Sequence, residues 1–517
     1  MKASRRWWAL AGVQLAVLAV GLDITVLSVA LPTLATALRA SESDLQWFSS
    51  GYTLVLAAAM LPAGLLGDRY GRKKVMLAAL ALFAAGSLAC AYAPSAGAFL
   101  AARLALGLAG AGVIVMAVSA LVVLFSEEER PRAVAVWAAA NFLALPIGPV
   151  LGGWLLSRYW WGWIFLINVP VALIGLFAAA ALVPESRAAQ RPGIDLPGIA
   201  LSSGGLAVLT YGLIEAGQNG WTGAPALGAI LGGLAILAAF FAWERRLTGR
   251  PGGQPLIDLA LFGSASFTSG VVLITIGTAA LVGVLFTLPQ YFQGVLGTTA
   301  MGSGLRLMPL IAGFVVGLAP ASRLARLAGA KITVAAGFAI FGGGIAAGAA
   351  TSMSSGTGFA AAWTAVTGAG LGLMFATAAS AALSELSQAQ AGIGSAMVQA
   401  VKNTGAPLGA AIFGSVLASG YQARLHLAGV PPVAASAARA SVFAGVAIAR
   451  QLKSASLLTA VRVAFVHGMD AALLVSAGIA VLGVVLTLAF LPATRPKPAA
   501  AGPPTPPERH EPRAATR

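Results

Sequence analysis

A carboxylate deep inside an apolar helix is costly, and Asp23 is one. It lies in the run Leu22–Pro32, LDITVLSVALP, about 16 residues beyond Trp7 where the first apolar stretch begins. An ionised Asp at a bilayer centre costs about 2.5–3.5 kcal/mol on insertion scales, so such a residue normally faces a polar cavity or a partner. Desolvation favours its neutral form, and with it reversible proton binding. Two chemistries fit: a proton- or substrate-coupling carboxylate, or half of a fixed ion pair that locks two helices. Arg103 is the natural partner. It sits a few residues into the fourth apolar stretch, which enters from the opposite side. At about 1.5 Å per residue the two lie at comparable depth in the outer half. A pair there could trade the carboxylate between Arg103 and a proton; the alternative for Arg103 is a snorkelling side chain at the outer interface.

A second group of residues lies between the second and third stretches, in Gly64–Lys74, GLLGDRYGRKK. Gly64 and Gly71 permit close helix approach and unusual backbone angles. Asp68 is expected on a neighbouring helix N-terminus, where partial positive charge favours it. Arg69 and Arg72, flanked by Lys73, are expected to pair with Glu127–Glu129 and latch the inner side. Positive charge for topology alone would explain the bases but not Asp68 or the glycine spacing. A third group, Gly148, Pro149, Gly152 and Gly153 behind Pro146, describes a kinked helix that packs tightly and suits a moving interface. The glycines at 107, 110 and 112 are a weaker sign of the same kind. Thr25, Asn141, Arg306, Lys402 and Asn403 either line a cavity or pack helices. Glu215 and Asp470 sit at span ends and read as interfacial.

These residues need a scaffold, and composition dictates which. Of 517 residues, 58% are hydrophobic and 9% charged, and mean hydropathy is +0.87. Soluble domains carry about 25% charged residues, so lipid must solvate most of this chain. Fourteen apolar stretches long enough to span begin near Trp7, Trp47, Lys74, Ala98, Arg132, Trp163, Leu196, Ala224, Ser266, Met301, Ile332, Gly358, Gly392 and Asp470. The first is too long for a cleaved signal core and is read as a retained helix. The net charge of +16 sits in short loops: Arg69–Lys74, Arg130 and Arg132, Arg187 and Arg191, Arg245–Arg250, and Arg323–Lys331. The alternate loops are nearly free of Lys and Arg, which puts the basic loops and both termini in the cytoplasm. The charge is therefore a topology signal, and nucleic acid is not an expected partner. One outer loop, Gly420–Gly468, breaks the pattern with five bases, although long loops are translocated regardless of charge. Its Val442–Val466 stretch is expected either as an amphipathic surface helix or as part of a structured loop. The Pro/Ala/Arg-rich tail, 493–517, is expected to be disordered. Cys90 is the sole cysteine, and the three histidines show no ligand spacing, so neither metal nor cofactor is expected.

Together the motifs resemble the major facilitator superfamily, and within it the fourteen-span drug:proton antiporters of the EmrB/QacA type. Gly64–Lys73 matches G-x-x-x-D-R-x-G-R-K. Leu22–Pro32 is similar to the first-helix motif L-D-x-T-V-x-N-V-A-L-P, with Ser28 where Asn is usual. Gly148–Gly153 matches the fifth-helix G-P-x-x-G-G, Trp163–Pro170 (WIFLINVP) is typical of the group, and Arg103 and Gly107 match R-x-x-Q-G with Leu106 in place of Gln. The resemblance runs from about Trp7 to Leu491. It implies an all-α membrane fold of two six-helix bundles, 7–186 and 262–492, with two extra helices inserted at 195–246. The second bundle keeps an eroded copy of the tight loop at Gly317–Lys331, the internal repeat expected of such folds. It implies proton coupling through Asp23 and Arg103, gating by Asp68, and no enzymatic activity. The function so expected is proton-driven export of bulky, hydrophobic or weakly cationic small molecules, such as drugs or antibiotics, by a monomer in the cell membrane. The same fold could instead take up nutrients with protons or ions. A membrane-embedded enzyme or sensor is disfavoured, since no HExxH, Ser/His pair, nucleotide loop or signalling domain is present.

Overall fold

Apolar runs of about 20 residues satisfy their backbone internally as helices, because lipid offers no hydrogen-bond partner. The computed structural model describes residues 3–125, 147–187, 195–250, 259–353, 355–384, 388–427 and 430–493, with a few single residues between them. Among these residues there is no β-strand. The chain begins with α1 (Ala3–Ala37), α2 (Glu42–Tyr70), α3 (Arg72–Ala91) and α4 (Ala96–Leu124). The helical residues 147–158 form α5, followed by α6 (Trp163–Leu166) and α7 (Asn168–Leu182), then the hairpin α8 (Leu196–Asn219) and α9 (Ala224–Thr248). The rest comprises α10 (Ala265–Gln290), α11 (Ala300–Arg306), α12 (Met308–Ala328), α13 (Ala330–Gly348), α14 (Thr357–Leu383), α15 (Gln388–Arg424), α16 (Pro432–Ala440), α17 (Val442–Gln451) and α18 (Ala455–Phe490).

Twelve helical segments among the described residues are long and apolar enough to cross a membrane. Two of the fourteen expected stretches are not among them. The fifth lies partly outside the described residues. The thirteenth is α15, whose 37 residues are ample in length but include Gln388, Gln390, Gln399, Lys402 and Asn403.

Local chemistry sets the ends. Ser41 accepts from the Asp44 backbone N–H, and Asp44 accepts from the Ser41 N–H at 2.8 Å, a reciprocal cap that starts α2. Ser95, Asp195, Ser264, Thr299, Ser441 and Ser454 cap α4, α8, α10, α11, α17 and α18 in the same one-sided way. After Pro289 the end of α10 widens into a π-turn, Tyr291–Val295, the local distortion that a missing N–H invites.

Two boundaries differ from the expected ones. The last span is expected from Asp470, with Arg462 among the outer-loop bases and Asp470 at the span end; α18 instead runs unbroken from Ala455. The Val442–Val466 stretch is not one amphipathic surface helix. It breaks after Gln451, with Lys453 at φ 49°, and α17 buries Val442, Phe443, Val446 and Ala449 against α18 and α1. The segment is a packed cap rather than a helix lying on a membrane surface.

Helices α1–α4, α6 and α7 pack among themselves, and α10–α18 do the same. The two sets meet where α1 touches α10, α11 and α17 and where α2 lies on α15. The α8–α9 hairpin leans on α2 and α15 through α8.

Candidate functional site

Asp23 on α1 and Arg103 on α4 are only 2% and 1% exposed, so neither is an interfacial side chain. Arg103 Nη1 donates to Asp23 Oδ2, and Asn168 Nδ2, at the start of α7, donates to Oδ1 at 3.3 Å. Arg103 also donates from Nε to the Phe48 carbonyl at 3.3 Å, and its guanidinium lies 4.2 Å from the Tyr52 ring centroid. Both carboxylate oxygens are therefore engaged, and the cation is held by two N–H donations and by the Tyr52 ring over one face. A Cβ on Gly107 would fall 2.4 Å from the Tyr52 carbonyl, so this glycine lets α2 and α4 close around the pair. An ion pair this buried is held by geometry as much as by charge, and removal of one partner leaves the other uncompensated.

Asn168 and Tyr52 were not singled out from sequence. Asn168 had a usable signal, as a lone amide in the apolar run Trp163–Pro170. Tyr52 had none, because an aromatic residue in an apolar helix is ordinary.

The tight turn is wired differently from expectation. Asp68 Oδ1 accepts from Arg72 across the turn, at 2.8 Å from Nη2 and 3.0 Å from Nε, rather than from a neighbouring helix N-terminus. Arg72 is thereby not the partner of Glu129, which takes Arg6 at 3.0 Å; Glu127 and Glu128 lie outside the described residues. Arg69 stacks 5.8 Å from the Tyr70 ring centroid. The group at the α3 N-terminus is Glu185, whose Oε1 accepts from the Lys73 backbone N–H at 3.1 Å. Lys73 Nζ in turn donates to the Ala180 carbonyl at 2.6 Å. The reason is Gly71: its φ of 115° reverses the chain within one residue and brings Arg72 back over Asp68. Gly71→Ala is expected to cost about 1–3 kcal/mol, both from backbone strain and because the new Cβ would sit 2.7 Å from Glu185 Oε1. A melting curve of purified protein in detergent checks this; an unchanged midpoint would refute it.

The fifth-helix motif packs closely in two directions. A Cβ on Gly148 would fall 1.9 Å from Thr25 Oγ1, and one on Gly152 would fall 2.9 Å from Val26 Cγ1, so α5 presses on α1. On its other side a Cβ on Gly153 would lie 2.7 Å from Met301 Cα, and one on Gly304 would lie 2.3 Å from the Pro149 carbonyl, which ties α5 to α11. Thr25 donates to the Ala144 carbonyl at 3.1 Å, just ahead of α5. Asn141 and Pro146 lie outside the described residues. Arg306 Nη1 returns to the Gly302 carbonyl at 3.3 Å. Asn403 Nδ2 donates to Met60 Sδ at 3.0 Å, from α15 to α2, with half-buried Lys402 beside it.

Further contacts join the two helix sets at the end where α2 begins. Ser50 Oγ donates to the Pro407 carbonyl at 3.2 Å, Ser415 Oγ to Gln46 Oε1 at 3.3 Å, and Gln290 Nε2 to Glu42 Oε1 at 3.2 Å. These contacts hold the two helix sets together at that end, opposite the basic turn at Gly64–Lys74. Among the described residues no three His, Cys, Asp or Glu side chains gather into a metal site.

Residues 14–410 match the family model described as Major Facilitator Superfamily. The chain belongs to the major facilitator superfamily. Its relatives include the tetracenomycin C resistance and export protein of Streptomyces glaucescens, 31% identical over 80% of this chain and 76% of that protein. The multidrug efflux pump LfrA of Mycolicibacterium smegmatis is also 31% identical, over 93% of this chain and 96% of its own length. Among solved structures, an inward-facing, unoccupied bacterial homologue of the human lysosomal transporter Spinster superposes with a TM-score of 0.67 at 15% identity, covering 94% of this chain and 97% of that one. The proton:xylose symporter XylE superposes at 0.54 with 16% identity, covering 95% and 97%. The protein is thus a multi-pass membrane transporter of this superfamily, not an enzyme.

Proposed function

We propose that this transporter exports hydrophobic small molecules in exchange for protons, through alternating access of two helix bundles, 7–186 and 262–492, with α8–α9 inserted between them. The observation that carries this is the buried Asp23–Arg103 pair with its Asn168 and Tyr52 supports. When Asp23 takes a proton, its charge attraction for Arg103 is lost, and the guanidinium retains only the Phe48 carbonyl and the Tyr52 ring. Because Asp23 lies on α1 and α1 packs on α10 and α11, loosening its hold on α4 frees one bundle to rock against the other. The joined end at Gln46, Ser50 and Gly153 is then the gate that must open for release. Positive charge in the Gly64–Lys74 turn supports placing that turn and both termini in the cytoplasm, with the joined end outside. The export proteins among the relatives support the direction of transport.

The deciding experiment uses inverted vesicles containing the full chain, an imposed acid interior, and a panel of Nile red, ethidium and pyrenebutyrate. At least one dye is expected to accumulate while the gradient lasts and to leave when nigericin collapses it. Accumulation that ignores the collapse, or no accumulation of any dye, overturns the proposal.

A further inference from the structure

Among the described residues, Lys402 is a cation without a counter-charge at the junction of the two bundles. Its direction follows from its neighbours on α15. A Cβ on Gly405 or Gly409 would lie 2.3 or 2.1 Å from the carbonyls of Thr275 and Ala279, so that face of α15 rests on α10. Asn403 and Pro407 meet Met60 and Ser50 of α2. At about 100° per residue, Lys402 projects into the arc between these two faces, which is the seam between α10 of one bundle and α2 of the other. It is half-buried there.

No acid answers it. Between Glu385 and Asp470 the sequence has neither Asp nor Glu, and the same holds between Asp258 and Glu385. On α2 the acids are Glu42 and Asp44 at one end and Asp68 at the other. Asp68 is about 12 Å along the axis from Met60, and Asp44 about 24 Å. On α1 the only acid is Asp23, and both of its oxygens are taken. Among the described residues no carboxylate lies within ion-pair distance of Lys402. A fixed intramembrane cation with no fixed partner needs one from elsewhere.

We infer that Lys402 binds the negative charge of the substrate, and that the transported class is hydrophobic organic anions, such as aromatic carboxylates, rather than the weakly cationic compounds expected from sequence. This rests on the export function proposed above and narrows it. An anion leaving the cell also moves in the direction that an inside-negative potential favours.

The test compares three probes with one hydrocarbon: 4-(1-pyrenyl)butyrate, 4-(1-pyrenyl)butanol and 4-(1-pyrenyl)butyl-trimethylammonium. Each is added to proteoliposomes holding the full chain, and probe-evoked proton flux is read. Wild type is expected to respond to the carboxylate at least tenfold more strongly than to the ammonium. Lys402→Gln should lose at least tenfold of the carboxylate response and keep that to the neutral butanol within twofold, while Lys402→Arg keeps most of both. Wild-type preference for the ammonium overturns the inference, and it does so even if both variants fail to fold. A carboxylate response that survives in Lys402→Gln overturns it too, as does equal loss of all three, which would place Lys402 in coupling. A wild type that answers none of the probes, the butanol included, fails the export function itself and this inference with it; a butanol response without charge selection fails this inference alone.

Discussion

Asp23→Asn is expected to abolish proton-driven export while leaving a folded, membrane-inserted protein, and Arg103→Met is expected to damage folding itself. The difference follows from what each substitution leaves behind. Asn at position 23 keeps the shape of the carboxyl and resembles its protonated form, a state the proposed cycle must visit. Arg103 then still holds the Phe48 carbonyl and the face of Tyr52. In Arg103→Met the carboxylate at 23 keeps only the Asn168 amide in a site 2% exposed. Leaving a buried charge uncompensated costs about 3–5 kcal/mol. The double variant Asp23→Asn/Arg103→Met should recover most of that stability without recovering transport. Melting in detergent and gradient-driven dye accumulation in inverted vesicles separate the two effects. Full export by Asp23→Asn would remove Asp23 from coupling, and a double variant no more stable than Arg103→Met would show that the cost is not one of charge.

The second large effect is expected at Gly304, which meets the α5 motif from the other bundle. A Cβ there would lie 2.3 Å from the Pro149 carbonyl and 2.9 Å from its carbon. Both are backbone atoms, so no rotamer change relieves the overlap. Gly304→Val should therefore separate α5 from α11 and favour the state open at that end. An overpacking penalty of about 1–3 kcal/mol shifts such an equilibrium by roughly 5- to 150-fold. The readout is labelling of Ser50→Cys, at the α2–α15 contact, by a membrane-impermeant maleimide; the native Cys90 is fully buried and gives little background. Labelling should rise and export should fall in Gly304→Val, with Gly304→Ala in between. Unchanged labelling and export would show that this contact does not hold the gate.

The two predictions also mark where sequence stops. Asp23, Arg103, the basic turn and the α5 glycines stand out in the chain because each violates a local expectation. They are charges in an apolar run, an acid in a basic loop, or glycines and prolines where a helix prefers neither. Asn168, Glu185 and Gly304 complete the pair, the turn and the gate; Asn168 alone carries a local signal, as an amide in an apolar run, while Glu185 and Gly304 do not violate their surroundings. Gly304 is one of 63 glycines in the chain, and only its position opposite Pro149 distinguishes it. The end of the chain shows the converse error. Arg462 reads as an outer-loop base and Asp470 as a span end, yet α18 carries both in one continuous helix, because a 36-residue helix is longer than the roughly 20 residues that a bilayer requires.

By itself the sequence determined that this protein lives in lipid, roughly where most of its spans run, and that one carboxylate sits at depth. Hydropathy and helical period are local properties, and a span of 20 residues suffices to express them. Only the tertiary structure decided that Asp23 shares its charge with Arg103 and Asn168 together, that Asp68 is held by Arg72 while Glu185 takes the α3 N-terminus, and that Lys402 faces the seam between bundles with no ion-pair partner among the described residues. In lipid no apolar stripe marks which helix faces meet, since association rests on small-residue packing and a few polar contacts. Those depend on which helices are brought side by side, and that pairing is written in no single segment of the chain.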